Sequence, residues 1–172
     1  MKQLQFLVYI TLFIFNLTHK VSANFIFISN ENSDTITVLD ANNKEIIKTI
    51  NTGGRPRDMK FSHDRSKLYV VVSEENHIAT IDVNKLEIIE YIESGADPEI
   101  FDISPDGKTI AVSNEDDNEL TIIDIKSKKT INIITDVGVE PEGVNFSPDG
   151  NYIYVTSEGT NSIIIIDVKE KK

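Results

Sequence analysis

The residues with chemistry to offer gather around a recurring proline. Pro56 is flanked by Arg55 and Arg57, Pro98 by Asp97 and Glu99, and Pro141 by Glu140 and Glu142. Two guanidiniums and four carboxylates at one mouth would hold a polar small molecule or a cation, because carboxylate oxygens suit hard ions such as calcium. The competing use of the same six residues is mutual, as ion pairs between neighbouring repeats. A second acidic group, Glu74, Glu75, Glu115, Asp116 and Asp117, falls in loops. It would attract a basic partner, or it is a set of solvated loop tips that keeps the protein soluble. The run from Asn114 to Glu119 lacks the alternating ligands, central Gly and closing Glu of an EF-hand, and is read as a turn. No metal site is assigned.

Other chemistries are excluded by composition. The 172 residues include no Cys, which removes disulfides, Cys-ligated zinc, iron–sulfur clusters and a thiol nucleophile. His19 lies in the N-terminal segment, His63 in a turn and His77 in a loop, too few for a three-histidine metal centre beyond that segment. No nucleophile elbow, P-loop or dinucleotide fingerprint is present, so no catalytic residue and no cofactor are assigned. Lys and Arg number 17 against 28 Asp and Glu, a net charge of -11 that argues against a nucleic-acid partner.

What must position these residues is a repeat. The three prolines are spaced 42 and 43 residues apart, and so are the turn aspartates Asp64, Asp106 and Asp149. A third landmark, an aspartate closing an apolar run, recurs at Asp40, Asp82, Asp124 and Asp167. Within each period, short β-branched runs alternate with Gly, Pro, Asn and Asp, the pattern of strands and turns. Four strands in a period of about 42 residues is the arithmetic of a propeller blade. The expected fold is therefore all-β, a β-propeller of four-stranded antiparallel blades. Its parts are a partial blade at 24–55, blades at 56–97 and 98–140, and a partial blade at 141–172. That is about 3.5 blades, against the ~4–8 of closed propellers. The expected form is an open arc or a fragment of a seven-bladed propeller, with a truncated gene or fragment ranked ahead of a dimer, which would duplicate two strands.

Repeat register also sorts charge. The proline loops and the loops after each second strand share one face, which collects Glu31, Asp34, Glu119 and Glu158 besides both acidic groups, opposed only by Arg55 and Arg57. The opposite face, with the aspartate turns, mixes both signs. Aspartates present in every unit are expected to be structural, since a catalytic group is needed once.

The run "SPDGNYIYVTSEGTNSIIIIDV" resembles the YVTN-type β-propeller repeat, whose Tyr-Val-Thr-Asn strand end is nearly reproduced by Tyr154-Val155-Thr156-Ser157. "ADPEIF" (96–101), "NEDDN" (114–118) and "GVEPEG" (138–143) are similar to the propeller proteins associated with pyrroloquinoline-quinone-dependent alcohol catabolism. The resemblance runs over residues 25–172, about half of a seven-bladed member. It implies an exported, non-enzymatic binding or accessory module linked to periplasmic alcohol oxidation, with a basic electron carrier or dehydrogenase as partner. Two alternatives stay open. One is a lactonase-type propeller enzyme using Arg55, Arg57, Glu99 and Glu142, and the other is a surface adhesion module.

Residues 1–23 read as a secretory signal peptide, with Lys2, an apolar run from Leu4 to Leu17 and small residues before a cut after Ala23. The run is shorter than the ~20 residues of a membrane-spanning helix. The mature protein is expected to be periplasmic or secreted, with no membrane contact once the signal is removed; retention of the segment as an anchor is the alternative.

Overall fold

The computed structural model describes residues 24–170, so the expected signal segment and the expected cut after Ala23 lie outside the described residues. Fourteen strands follow in order: β1 Phe25–Asn30, β2 Thr35–Asp40, β3 Ile46–Asn51, β4 Pro56–Phe61, β5 Lys67–Val72, β6 His77–Asp82, β7 Glu87–Glu93, β8 Pro98–Ile103, β9 Thr109–Asn114, β10 Glu119–Asp124, β11 Lys129–Ile134, β12 Pro141–Phe146, β13 Tyr152–Ser157 and β14 Ser162–Asp167. They form four antiparallel sheets, β1-β2-β3, β4-β5-β6-β7, β8-β9-β10-β11 and β12-β13-β14. The first sheet starts at the strand equivalent to β5 and the last stops at the equivalent of β6. This is the all-β, partial propeller that the repeat predicted, about 3.5 blades of it. Among the described residues no helix is long and apolar enough to cross a membrane.

The second strand of each central blade explains why the blades stack. Alternate residues of a strand face opposite sides, so a strand covered on both faces reads as continuously apolar. In β5, Leu68, Val70 and Val72 join Ile36, Val38 and Ile50 of the first sheet. Its intervening Tyr69 and Val71 pack against Phe101, Ile103, Ile110 and Val112 of the third. In β9, Ala111 turns the other way, toward Val144, Ile153, Val155 and Ile166 of the last sheet. Each junction thus has its own core, in which a fully buried aliphatic side chain contributes roughly 1.5–3 kcal/mol.

Turn chemistry closes each blade. The Ser62, Ser104 and Ser147 hydroxyls donate to Asp64, Asp106 and Asp149 at 2.6–2.7 Å. The same aspartates accept the backbone N–H groups of Ser66, Lys108 and Asn151. The next residue is left-handed, which Gly107 and Gly150 adopt freely and Arg65 adopts with strain. The aspartates ending β2, β6, β10 and β14 likewise accept N–H groups of the following turn, at Asn42, Asn84, Ser127 and Lys169. The recurring aspartates therefore all serve turns.

One detail differs from the sequence reading. His77 opens β6 instead of lying in a loop, because the pairing Val72↔His77 closes β5 onto β6 through only four residues. Its ring meets the edge of Tyr91 at 4.6 Å.

Candidate functional site

Each proline opens an inner strand, the one strand position where a missing N–H is harmless. β4, β8 and β12 run side by side, and side-chain clamps fix their register: the Asp58 carboxylate accepts from Phe101 N–H (3.3 Å) and that of Asp102 from Phe146 N–H (2.8 Å). The residue preceding each proline, Arg55, Asp97 or Glu140, is left-handed at φ 57°, 49° and 53°. For a non-glycine residue that conformation costs roughly 1–2 kcal/mol. It is held by an Asx side chain from the preceding blade. Asp34 accepts from Arg55 N–H, Asn76 from Asp97 N–H and Asn118 from Glu140 N–H, at 3.1, 3.0 and 2.9 Å. These capping residues are themselves left-handed, which Asn and Asp tolerate best. The proline loops and second loops therefore share a face, as the repeat register required.

At the mouth, Arg55 Nε donates to Glu31 at 3.3 Å and its other nitrogens reach Asp97 at 3.7 Å and Glu99 at 3.9 Å. Arg57 ion-pairs with Glu99. Pairing between neighbouring repeats is thus real for Arg55, Arg57, Asp97 and Glu99. Asp97, Glu99 and Glu115 form a tighter group in which one oxygen from each carboxylate lies within 4.8 Å of the others. Glu142 acts on this group only through its like charge, and Glu140 is exposed with no ion pair among the described residues. A shallow depression of about 330 Å³, lined by Ser29, Glu31, Pro56, Arg57, Asp58 and Ile100, opens beside Arg57.

Glu99 is the unusual member. Its side chain is 0% exposed. Arg57 Nη1 lies against both of its oxygens but donates a hydrogen bond only to Oε1, leaving Oε2 a buried acceptor without a hydrogen-bond partner. Burial pushes this carboxyl up to about 7; Arg57 opposes the rise, while Glu142, Asp97 and Glu115 add to it. The Arg57 charge does not offset desolvation together with three like charges. Glu115 is raised by the same causes, burial first and then Asp97 and Glu142. Arg55 sits above its ordinary value: burial works against it, and the Glu31 hydrogen bond with Asp97 and Glu99 prevails.

The acidic loop group divides. Glu115 belongs to the mouth, whereas Asp117 is structural, accepting from Ala96 N–H at 2.7 Å. Glu74, Glu75 and Asp116 are exposed and make no ion pair among the described residues. Glu31 and Glu115 were not grouped with the mouth from the sequence. The available signal was register, since Glu31, Ser73, Glu115 and Glu158 all follow a second strand directly. Toward the opposite face some charges pair across the blades, with Glu90 bridging Lys67 and Lys128 and Asp102 pairing with Lys60.

The family model for the YNCE-like β-propeller matches residues 15–147. No curated protein sequence matches the chain. Among solved structures, hydrazine synthase of Kuenenia stuttgartiensis is similar with a TM-score of 0.78 and 25% identity over 86% of this chain. The match spans 44% of that chain, so this protein covers less than half of the hydrazine synthase chain it resembles. Blade repeat, inner-strand prolines and matched family model agree, and the chain belongs to the YNCE-like β-propeller family.

Proposed function

We propose that the protein is an exported, non-enzymatic binding module whose proline-loop face docks a basic protein surface. The observation that carries this reading is charge left unneutralised on one face: Glu74, Glu75, Asp116, Glu140, Glu142 and Glu158 make no ion pair among the described residues, while the far face intersperses its carboxylates with lysines, some of them paired, as Glu90 is with Lys67 and Lys128. A field concentrated on one surface steers and orients an oppositely charged partner. The sequence resemblance points to a periplasmic electron carrier or dehydrogenase of quinone-linked alcohol oxidation as that partner.

The test is capture from a periplasmic extract, followed by binding of the recovered partner at rising salt. Association should weaken steeply between 50 and 500 mM salt, about one to two orders of magnitude in Kd, as solvent-exposed charges are screened. Reversing Glu74, Glu75 and Asp116 to lysine should reduce the association rate at low salt. Binding that ignores both salt and these substitutions would rule the reading out.

A further inference from the structure

We propose that the first and last sheets of the chain bind each other across two copies, closing a head-to-tail dimer of stacked blades. The three junctions inside the chain show the contact that is reused. Each joins the side of one sheet that looks forward along the stack to the side of the next sheet that looks back, never two sides of a kind. The forward side holds Tyr69 and Ile78 in the second sheet and Ala111 and Leu120 in the third, all 0–2% exposed. Strand register puts Tyr154 and Ile163 at those positions in the last sheet, where they are 39% and 68% exposed. The backward side holds Leu68, Val70 and Ile81 in the second sheet, all 0–1% exposed, and register puts Ile26, Ile28 and Leu39 there in the first. Ile28 is 42% exposed, and Ile46, opposite Leu39 on the same side, is 68% exposed. The chain thus leaves open one forward and one backward side of the kind it buries three times internally. A second copy carries both complements in the register that the inner junctions already use. This selects it over an unrelated protein and over a pairing of two last sheets.

Size decides between one such contact and two. A three-stranded face of six residues per strand measures about 14 by 20 Å, from ~4.8 Å between strands and ~3.3 Å per residue. One junction buries two of these faces, on the order of 560 Å², which is below the ~1,000 Å² of a specific interface; a closed pair buries four, on the order of 1,100 Å². Each copy has four sheets, so two copies make a ring of eight. That is the upper end of the ~4–8 blades of closed propellers. The three-stranded first and last sheets stack in this ring as separate blades, so the two duplicated strands never compete for one place in a sheet.

The experiment is light scattering after size exclusion on protein purified from cells producing the full chain, over a range of concentrations and with no other partner present. A discrete dimer is expected, with a Kd on the order of 1–100 µM for an interface at the small end of the specific range. Two variants separate the faces: Ile163→Lys with Ile165→Lys on the last sheet, and Ile28→Lys with Ile46→Lys on the first. All four positions are exposed, so both variants should fold, which circular dichroism checks. Each variant alone should be at least tenfold weaker in dimerisation. Their equimolar mixture keeps one junction intact and should dimerise at lower concentration than either variant alone. The proposal is overturned by a wild type that stays monomeric at about 0.5 mM, well above the expected Kd. It is equally overturned by a dimer that only one of the two variants weakens, by a mixture no better than its components, or by a mass that keeps rising past the dimer as an open stack would. The contact uses sheet faces and the docking of a basic protein uses loop tips, so either reading can fail alone.

Discussion

Glu99 and Asp106 are both carboxylates with a cation nearby, and they move in opposite directions. Glu99 is pushed up to about 7, because burial removes water and the Arg57 charge returns only part of the loss. Asp106 is held down at about 2 by hydrogen bonds from Lys108 and Ser104 and by the Lys108 charge, at an exposed turn where desolvation is small. Asp64 is likewise held at about 2 by the Ser62 hydroxyl and by the backbone and hydroxyl of Ser66. A folded-state value below the unfolded ~3.9 adds stability that is complete above the unfolded value and is lost as pH falls through the folded one. The blade turns should therefore weaken between pH 4 and 2 and stay constant above 5. Urea unfolding across that range should show the loss, and Asp64→Asn with Asp106→Asn should reduce it, the remainder belonging to Asp40, Asp82, Asp124 and Asp149, which are also held below the usual range by hydrogen bonds. An unchanged acid profile in the double variant would refute the role given to these turns.

At the level of the element, the device that sets the mouth is the left-handed Asx residue reaching the next blade's proline loop. Asn76 does this for Asp97, and Asp97 in turn carries one corner of the carboxylate group. Its replacement separates two physical demands. Asn76→Gly keeps the φ of 56° and loses only the hydrogen bond, at about 1 kcal/mol. Asn76→Ala loses the bond and also strains the backbone, for about 2–3 kcal/mol together. Denaturant unfolding of the two variants should rank them in that order. Equal costs would show that the conformation is not demanded. Gly95 supports the same loop: a Cβ there would sit 2.6 Å from the Asn114 side chain, whose Oδ1 accepts Gly95 N–H at 3.0 Å.

For the whole molecule, blade stacking leaves one face of each terminal sheet uncovered. On the last sheet Ile163 is 68% and Ile165 61% exposed, beside Tyr152 and Tyr154, while the opposite face buries Ile153, Val155 and Ile166. On the first sheet Ile28, Ile46 and Ile47 are exposed. Contiguous apolar surface on an open sheet drives association. The described chain should self-associate as concentration rises, and Ile163→Lys with Ile165→Lys should suppress this in light scattering after size exclusion. Self-association unaffected by the pair would place the contact elsewhere.

The sequence by itself determined the repeat, the four-strand blade, the identity of the inner-strand prolines and the face on which acid accumulates. These follow from period and pattern, because β-strand alternation and turn residues act over a few positions. Asp34, Asn76 and Asn118 were visible as a 42-residue series too, although their function was not, since a cap on the next blade's backbone has no local signature. The mouth itself was decided in three dimensions. Arg55 and Glu31 are 24 residues apart and Arg57 and Glu99 42 apart, and only the stacking angle of the blades determines which of them meet. The same packing seals Glu99 from water and leaves Glu140 in it, although both flank a proline. Burial depends on what every other element covers, and for that reason residue type and spacing identified the candidates while the tertiary structure chose among them.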